Sequence, residues 1–570
     1  MGIFKKEEHK PWYKYYINMK KTVDSPNTSM YAQIKKTAEK YPLNIAYSYY
    51  GTSVNYKNLI KNIDSAAEAF ARLGVEKGKV VSIISPNTPE AITCFYALNK
   101  IGAISNMIHP LSSEEEIKYS LKESDSKYIV AIDMVFEKLK NTIEELDIQK
   151  VVIISASLSM DTITKIGYYL TKGRKIKKPF AGQVVNYERF IYRGKYNKTK
   201  IKDEGKDDTP AVILHSGGTT GNPKGVLLSN KNFNTLVLSE IQMNKVIGPD
   251  TSILAIMPIF HGFGLGCTFH ACFSSGAKAI ILPSVNPKKF DETLLKYKPN
   301  IIACVPSILE TVYKSKKLEK EDLTFIKSVV CGGDTLSPSL NKKIDNFLYD
   351  HGSDAKVKTA YGMTECTAGV TMMPYEESKD ESIGIPCPGF EIKIKDFSTG
   401  EEKQPGEVGE ICVNGPSVML GYINNEEETG KVLRPDEKGK IWLHTGDLGY
   451  MDEDGFVYFK SRAKRMIVSS GYNIFPSQIE NVLNKHPYVE TSVVVAVPHP
   501  YKGEVPKAYI VLKENIKLSS DVKKSIKQHV EKNVAKYALP YSYGYRKELP
   551  KTLIGKVAYK ELINNSEEED

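Results

Sequence analysis

AVILHSGGTTGNPKGV (211–226) is the stretch on which the reading of this chain turns. Four apolar residues of an expected strand run into Ser216, Gly217, Gly218, Thr219, Thr220 and Gly221, followed by Lys224 and Gly225. Glycines let the backbone curl until several N–H groups face one anion, hydroxyls add donors, and the lysine adds a full positive charge. An ordinary Gly/Ser/Thr turn needs neither a lysine nor three hydroxyls at this density, so the loop reads as a phosphate cradle. It is not the G-x-x-x-x-G-K-[ST] loop, because Gly225 and not a hydroxyl follows Lys224.

Upstream, short apolar runs alternate with helix-patterned stretches: VVSII (80–84), PEAITCFYALNKIGAI (89–104), KYIVAI (127–132) and KVVIIS (150–155). That is the rhythm of a parallel sheet covered by helices, and it predicts a doubly wound α/β region. Pro89 suits a first helical turn, and Ile92, Phe95, Tyr96 and Asn99 present one mainly apolar face. Beyond WLHTGDLGYMDEDGFVYFKSRAKRM (442–466) come VETSVVVAVPHP (489–500), KAYIVLK (507–513), a Lys-rich helical pattern (521–536) and the acidic tail SEEED (566–570). Two strand-like runs and a helix predict a small α+β unit with its own core. The boundary is expected at Arg462 to Lys464, dividing 1–461 from 465–570.

The chain of 570 residues is too long for a single core. Lys and Arg number 78 against 68 Asp and Glu, a net charge of +10. That surplus is spread along the chain rather than gathered in a patch, which argues against a nucleic-acid partner. No apolar run approaches the roughly 18–20 residues of a membrane-spanning helix, and mean hydropathy is −0.32. The start, MGIFKKEEHKPWYKYY, carries charges and no apolar segment, so no secretory signal is expected. Eight cysteines stand singly, with no C-x-x-C pair, and read as reduced, mostly buried thiols of a cytoplasmic protein. YYLTKGRKIKKPF (168–180) mixes aromatics with cations. A solvated loop is the heavier reading of it, and a peripheral contact with anionic lipid is the other.

The 211–226 loop resembles the signature Y-T-S-G-T-T-G-x-P-K-G of AMP-forming acyl-adenylating enzymes, the superfamily of acyl-CoA synthetases, nonribosomal peptide adenylation domains and firefly luciferase. His215 stands for the usual aromatic and Gly217 for the usual serine, a loss of one hydroxyl worth about 1 kcal/mol. The other motifs of that superfamily follow in order. MPIFHGFGLG (257–266) is similar to the segment that shapes the acyl site, which implies substrate contacts from His261, Phe263 and Gly264. VVCGGDTL (329–336) resembles the turn against adenine, with Gly332, Gly333 and Asp334. Gly332 is assigned to the acyl group as well. TAYGMTE (359–365) is similar to the hallmark strand and turn: Ala360, Tyr361, Gly362 and Met363 along the nucleotide, Thr364 near the α-phosphate, and Glu365, with Ser216, on Mg²⁺. WLHTGD (442–447) places Asp447 as acceptor for both ribose hydroxyls. FKSRAKRMIVSSGYNIFPSQIE (459–480) resembles the hinge and CoA-facing segment: Arg462 on the ribose, Lys464 at the hinge, and Ser470, Gly471 and Tyr472 toward CoA. Ser461, Arg465 and Gln478 depart from the usual glycine, aspartate and glutamate. ELPKTLIGKVAYKEL (548–562) is similar to the C-terminal P-x-T-x-x-G-K signature, and makes Lys556 the catalytic lysine beside Lys224, Thr364 and Glu365.

The resemblance covers nearly the whole chain and is strongest to long-chain fatty acid–CoA ligases. It implies a large adenylate-forming domain of doubly wound subdomains plus a small β-barrel-like one, followed by a small mobile α+β domain. It also implies that a carboxylic acid, a medium- or long-chain fatty acid, is activated by ATP with Mg²⁺ to acyl-AMP and passed to coenzyme A, by a monomer or homodimer. Glycines 262, 264 and 266 suggest a pocket wall free of bulky side chains, or else helix packing. No charged residue in 257–267 suits a dicarboxylate or an amino acid. Two enzymatic alternatives pass the acyl group to a carrier-protein thiol or act on an aryl acid. A nucleotide-binding regulator is the non-enzymatic one.

Overall fold

The computed structural model describes residues 10–171, 173, 182–194, 201–216, 223–375, 377–469, 472–551 and 557–564. The chain divides into two units, the first of residues 1–391 and 413–443, the second of 392–412 and 444–570. The segment 462–464 lies within the second unit, leading into the 3-10 turn Ala463–Arg465.

The first unit holds two sheets. One runs Gly421–Tyr422, Lys224–Ser229, Pro210–Ser216, Ile104–Ile108, Val80–Ile84, Tyr128–Ile132, Lys150–Ile154, Val184–Asn186, and is parallel from Pro210–Ser216 onward. The other runs Ile385–Pro386, Gly369–Met372, Val357–Gly362, Ser328–Cys331, Ile301–Cys304, Ser252–Ala255, Lys278–Ile281, Ile45–Tyr49, Thr52–Asn55, with the run from Val357–Gly362 to Ile45–Tyr49 parallel. Parallel strands covered on both faces read as unbroken apolar runs. Tyr128–Ile132 is buried at every position. One apolar cluster joins Val81, Val130 and Ile153 of the first sheet to Tyr47, Ile253 and Ala279 of the second, with Phe95, Tyr96 and Leu98 among them.

Those three belong to the helix Pro89–Ile101, whose start is capped by Thr88, the hydroxyl accepting from the Ala91 N–H at 3.2 Å. Its one apolar face, read from the sequence, understates the burial: every residue of the helix is buried, Glu90, Asn99 and Lys100 included. Buried polar groups persist where they are paired. Ser159 donates to Glu90, Lys100 donates to Asp64 at 2.8 Å, and Asn99 donates to Asn230 at 2.7 Å. The helix also stops short of the expected 104, because Gly102 takes a left-handed conformation and Ile104 opens the next strand.

In the second unit, Val457–Arg462 pairs antiparallel with Ile441–Met451, which lies beside Gly409–Asn414. A further sheet is built on Gly503–Leu512, antiparallel to Val489–His499 and parallel to Ser542–Arg546. Helices Pro476–Asn484 and Ser520–Asn533 add Ile479, Leu483, Ile526 and Val530 to a core with Val494 and Ile510. This is the small α+β unit expected, with a richer sheet than the two runs foretold.

All eight cysteines are free and buried. Among the described residues no helix is long and apolar enough to cross a membrane. The helix Thr162–Thr171 buries none of its residues, and Ile163, Ile166, Tyr169 and Leu170 on one face are 83%, 56%, 62% and 60% exposed.

Candidate active site

Ser216 and Lys224 face each other across the antiparallel pair Pro210–Ser216 and Lys224–Ser229. Gly217, Gly218, Thr219 and Thr220 lie outside the described residues. The Lys224 ammonium donates to the Glu428 carboxylate and sits 4.8 Å from the centre of the Tyr422 ring. Lys224 and then Lys431 hold the Glu428 carboxyl down at about 2. Tyr422 in turn donates its hydroxyl to Glu365 Oε1 at 2.9 Å. Burial first, and the Glu365 charge beside it, push that phenol far up, so Tyr422 stays a donor.

Glu365 lies in the 3-10 turn Thr364–Cys366 that follows the strand Val357–Gly362. The turn is pinned from the segment 417–419: the Met419 N–H donates to the Glu365 carbonyl at 2.8 Å, and the Ser417 hydroxyl donates to the Cys366 carbonyl at 2.9 Å. Thr367 follows at φ 69, fully buried, with its hydroxyl donating to the Ser417 carbonyl at 2.8 Å. A β-branched residue in that region is strained and persists only when its surroundings over-determine it. The same 416–418 segment receives the Asn232 amide of helix Asn230–Met243 at 2.8 and 2.9 Å. Ser229 caps that helix and ends the strand that begins at Lys224, so cradle cation and acidic turn are tied through one short path.

Glu365 is 7% exposed, and among the described residues no cationic side chain pairs with it. Its partner is the neutral Tyr422 hydroxyl, so its oxygens are not taken up by an ion pair. Oxygen donors suit magnesium, and the resemblance assigns Ser216 as the companion of Glu365. The residues present fit the ion.

Most of the remaining first-unit assignments meet at one cavity of about 620 Å³, its open mouth included. His261, Phe263, Gly332, Gly333, Ala360, Tyr361, Gly362 and Met363 line it. His261 Nδ1 accepts the Phe263 N–H at 3.2 Å, which puts the ring proton on Nε2. Phe263 opens a π-helix to His270, a geometry that recurs at functional sites.

Two assigned residues stand elsewhere. Asp334 is exposed and caps its own turn, accepting the Thr335 N–H at 2.8 Å. Gly264 does not line the cavity: a Cβ there would come 2.0 Å from the Pro258 carbonyl oxygen. At Gly262 it would meet the Thr367 carbonyl at 1.6 Å, and at Gly266 the Leu236 side chain at 2.8 Å. These glycines serve close backbone packing, the second of the two readings the sequence left open. The wall beyond His261 is made by Leu236, Glu240, Cys267, Met372 and Cys387 instead.

Glu240 is the residue the motif reading missed. It is 7% exposed, its Oε2 has no hydrogen-bond partner among the described residues, and burial raises its carboxyl to about 8. Burial likewise raises Glu90 to about 7. A carboxyl raised from 4.5 favours folding in its protonated form, so that contribution is complete below about pH 4.5 and is lost as pH rises through the folded value. Thermal unfolding is therefore expected at falling temperature from about pH 5 to 8. Glu240→Gln removes its share of that slope up to about pH 8, and melting curves for mutant and parent that stay parallel in pH would exclude the effect.

In the second unit Asp447 and Arg462 are direct cross-strand partners, and Arg462 Nε lies 3.1 Å from Asp447 Oδ1. Asp447 is 1% exposed. The turn before it is fixed by residues the motifs did not name. Glu410 accepts the Gly446 N–H at 3.0 Å and contacts His444 Nδ1 at 2.6 Å, and Gly446 has φ +68. Lys464 sits exposed in the turn Ala463–Arg465. Arg465, where aspartate is usual, pairs with Glu480 at 2.8 Å and covers the Tyr559 ring at 3.8 Å. Ser470, Gly471 and Lys556 lie outside the described residues, and Tyr472 opens the strand Tyr472–Ile474.

Residues 34–423 match the model of the AMP-binding enzyme family, and residues 478–556 that of the AMP-binding enzyme C-terminal domain. The chain is similar to a long-chain-fatty-acid–CoA ligase of Bacillus subtilis, 31% identical with 99% of each chain covered. It is also similar to a probable 4-coumarate–CoA ligase of Dictyostelium discoideum, 30% identical over 88% of each. Among solved structures it is similar to the o-succinylbenzoate coenzyme A synthetase of Bacillus subtilis in complex with ATP and magnesium, at TM-score 0.75 and 25% identity over 93% and 98% of the two chains. Cradle strands, acidic turn and family models agree along the length of the sequence: the chain belongs to the AMP-binding enzyme family.

Proposed function

We propose that the protein is an acid–thiol ligase that activates a fatty acid of medium or long chain with ATP and transfers it, through acyl-AMP, to coenzyme A. The observation that carries this reading is the largely apolar cavity running from residues 360–363 past His261 to Leu236 and Met372. A cavity with this apolar lining suits an acyl chain. An aryl acid is the second reading, favoured by the similarity to 4-coumarate–CoA ligases.

A carboxylate is a poor acyl donor, since its leaving group would be an oxide. Attack of the carboxylate oxygen on the α-phosphorus of ATP expels pyrophosphate and leaves a mixed anhydride. Two anions must meet for this, so positive charge placed in advance is the main catalytic device. Lys224 and Lys556 supply it from the protein, and the 216–224 loop adds backbone donors. Mg²⁺ held by Glu365 would cancel phosphate charge. Asp447 and Arg462 hold the ribose. In the second half-reaction the CoA thiol attacks the adenylate carbonyl and AMP leaves. The residues from 465 onward then turn about Lys464, exchanging Lys556 for Ser470, Gly471 and Tyr472, a movement that one linker position can absorb.

AMP release across a panel of free acids, with and without CoA, tests the reading. CoA-dependent release with fatty acids is expected. Failure of every acid in the panel to support pyrophosphate exchange would leave only a nucleotide-binding regulator, and AMP release that ignores CoA would favour a different acceptor.

The exposed face of Thr162–Thr171 precedes Lys172, Arg174, Lys175, Lys177 and Lys178, of which all lie outside the described residues. Apolar side chains beside cations suit the anionic inner face of a membrane, where fatty acids collect. Cosedimentation with anionic liposomes is expected at low salt and should weaken at high salt. Binding that salt leaves unchanged would discard the electrostatic part.

A further inference from the structure

The acyl cavity contains a carboxyl group that the reaction does not use. Helix Asn230–Met243 turns Phe233, Leu236 and Val237 inward as a buried stripe, and Glu240 continues that stripe at the next helical position. An acid at such a position is costly unless it is hydrogen-bonded. Its neighbour across the cavity wall is the Cys267 thiol, a weak partner, and Oε2 is left buried without any. Among the described residues no lysine or arginine lines the cavity and none pairs with Glu240.

We infer that Glu240 reads a hydroxyl group carried by the acyl substrate away from its carboxylate, so that the cavity prefers hydroxylated acids to plain hydrocarbon acids of the same skeleton. The inference rests on the cavity being the acyl site. A neutral carboxylic acid offers one O–H donor and acceptor oxygens, the complement of a hydroxyl, which also donates and accepts. Burial, which keeps Glu240 protonated up to about pH 8, supplies that neutral form. A plain chain lying against Glu240 leaves its oxygen unpaired in a dry site, a loss that disfavours the plain acid. Two sources carry the chemistry: a hydroxylated fatty acid and a phenolic acid.

The test measures kcat/KM for acid-dependent pyrophosphate exchange on the full chain. One arm compares a ladder of saturated fatty acids with their terminally hydroxylated and terminally aminated counterparts. The other compares cinnamate with its para-hydroxylated form. At least one hydroxylated acid is expected to exceed its parent by about tenfold, and the arm in which this occurs identifies the source. Glu240→Leu should abolish the preference and raise the rate on plain acids, while Glu240→Gln, which still donates and accepts, should keep it. Should Glu240→Leu fail to fold, the parent enzyme and Glu240→Gln decide alone. Plain acids turned over as well as or better than every hydroxylated one by the parent enzyme would overturn the inference and leave the ligase reading intact. An aminated acid as the best substrate would also overturn it, since that requires an ionised Glu240. If none of the acids supports exchange, the ligase reading beneath it falls instead.

Discussion

Lys556→Ala is expected to lower acyl-AMP formation by about a hundred- to thousandfold, the usual effect of removing one well-placed electrostatic stabiliser, while thioester formation from pre-made acyl-AMP stays close to the parent rate. The asymmetry follows from charge. In the first half-reaction a carboxylate approaches a triphosphate, and negative charge grows on the pentavalent phosphorus. A cation at that point acts on the transition state more than on the bound substrates, which is the condition for raising kcat. In the second half-reaction a thiolate attacks a carbonyl, the phosphoryl group only departs, and the lysine is expected to have moved away. Pyrophosphate exchange reports the first half and CoA-dependent AMP release from synthetic acyl-AMP the second. An equal loss in both halves would count against the assignment, and so would no loss in either.

Asp447→Ala is expected to raise KM for ATP by about a hundredfold or more, because two hydrogen bonds to a charged group contribute about 1.5–3 kcal/mol each. The geometry supports a strong effect. Asp447 is 1% exposed, so its charge acts in a poorly solvated site, and it lies directly across the strand pair from Arg462. The Glu410 bond to the Gly446 N–H fixes the turn that aims it. A second measurement identifies the group Asp447 binds. The parent enzyme should discriminate against 2′-deoxy- and 3′-deoxy-ATP, and the alanine variant should not. A variant that still prefers the ribonucleotide would show that the ribose hydroxyls find their acceptor elsewhere.

The parallel strands were legible in the sequence because burial on both faces removes alternation and leaves runs such as VVSII and KYIVAI, which the structure places at Val80–Ile84 and Tyr128–Ile132. The capped start of Pro89–Ile101 was legible for the same local reasons. Its full burial was not, since the partners that make Glu90, Asn99 and Lys100 tolerable come from Ser159, Asn230 and Asp64, at distant points in the chain. The glycines of 257–266 were ambiguous in sequence, because what excludes a side chain at Gly262 is a carbonyl at Thr367, about a hundred residues on.

The sequence by itself determined the family, the order of the chemical motifs and the strand that ends at Ser216, because each depends on residues close together along the chain whose backbone and side-chain chemistry is local. Only the tertiary structure decided which residues wall the cavity beside His261 and what holds Lys224 and Glu365 in place. Glu240 enters that wall from a helix outside the motif segment that holds His261, and Glu428 and Tyr422 reach Lys224 and Glu365 from a strand and helix some two hundred residues past the loop. Such contacts are set by how the sheets and helices pack, and no spacing within a motif encodes them.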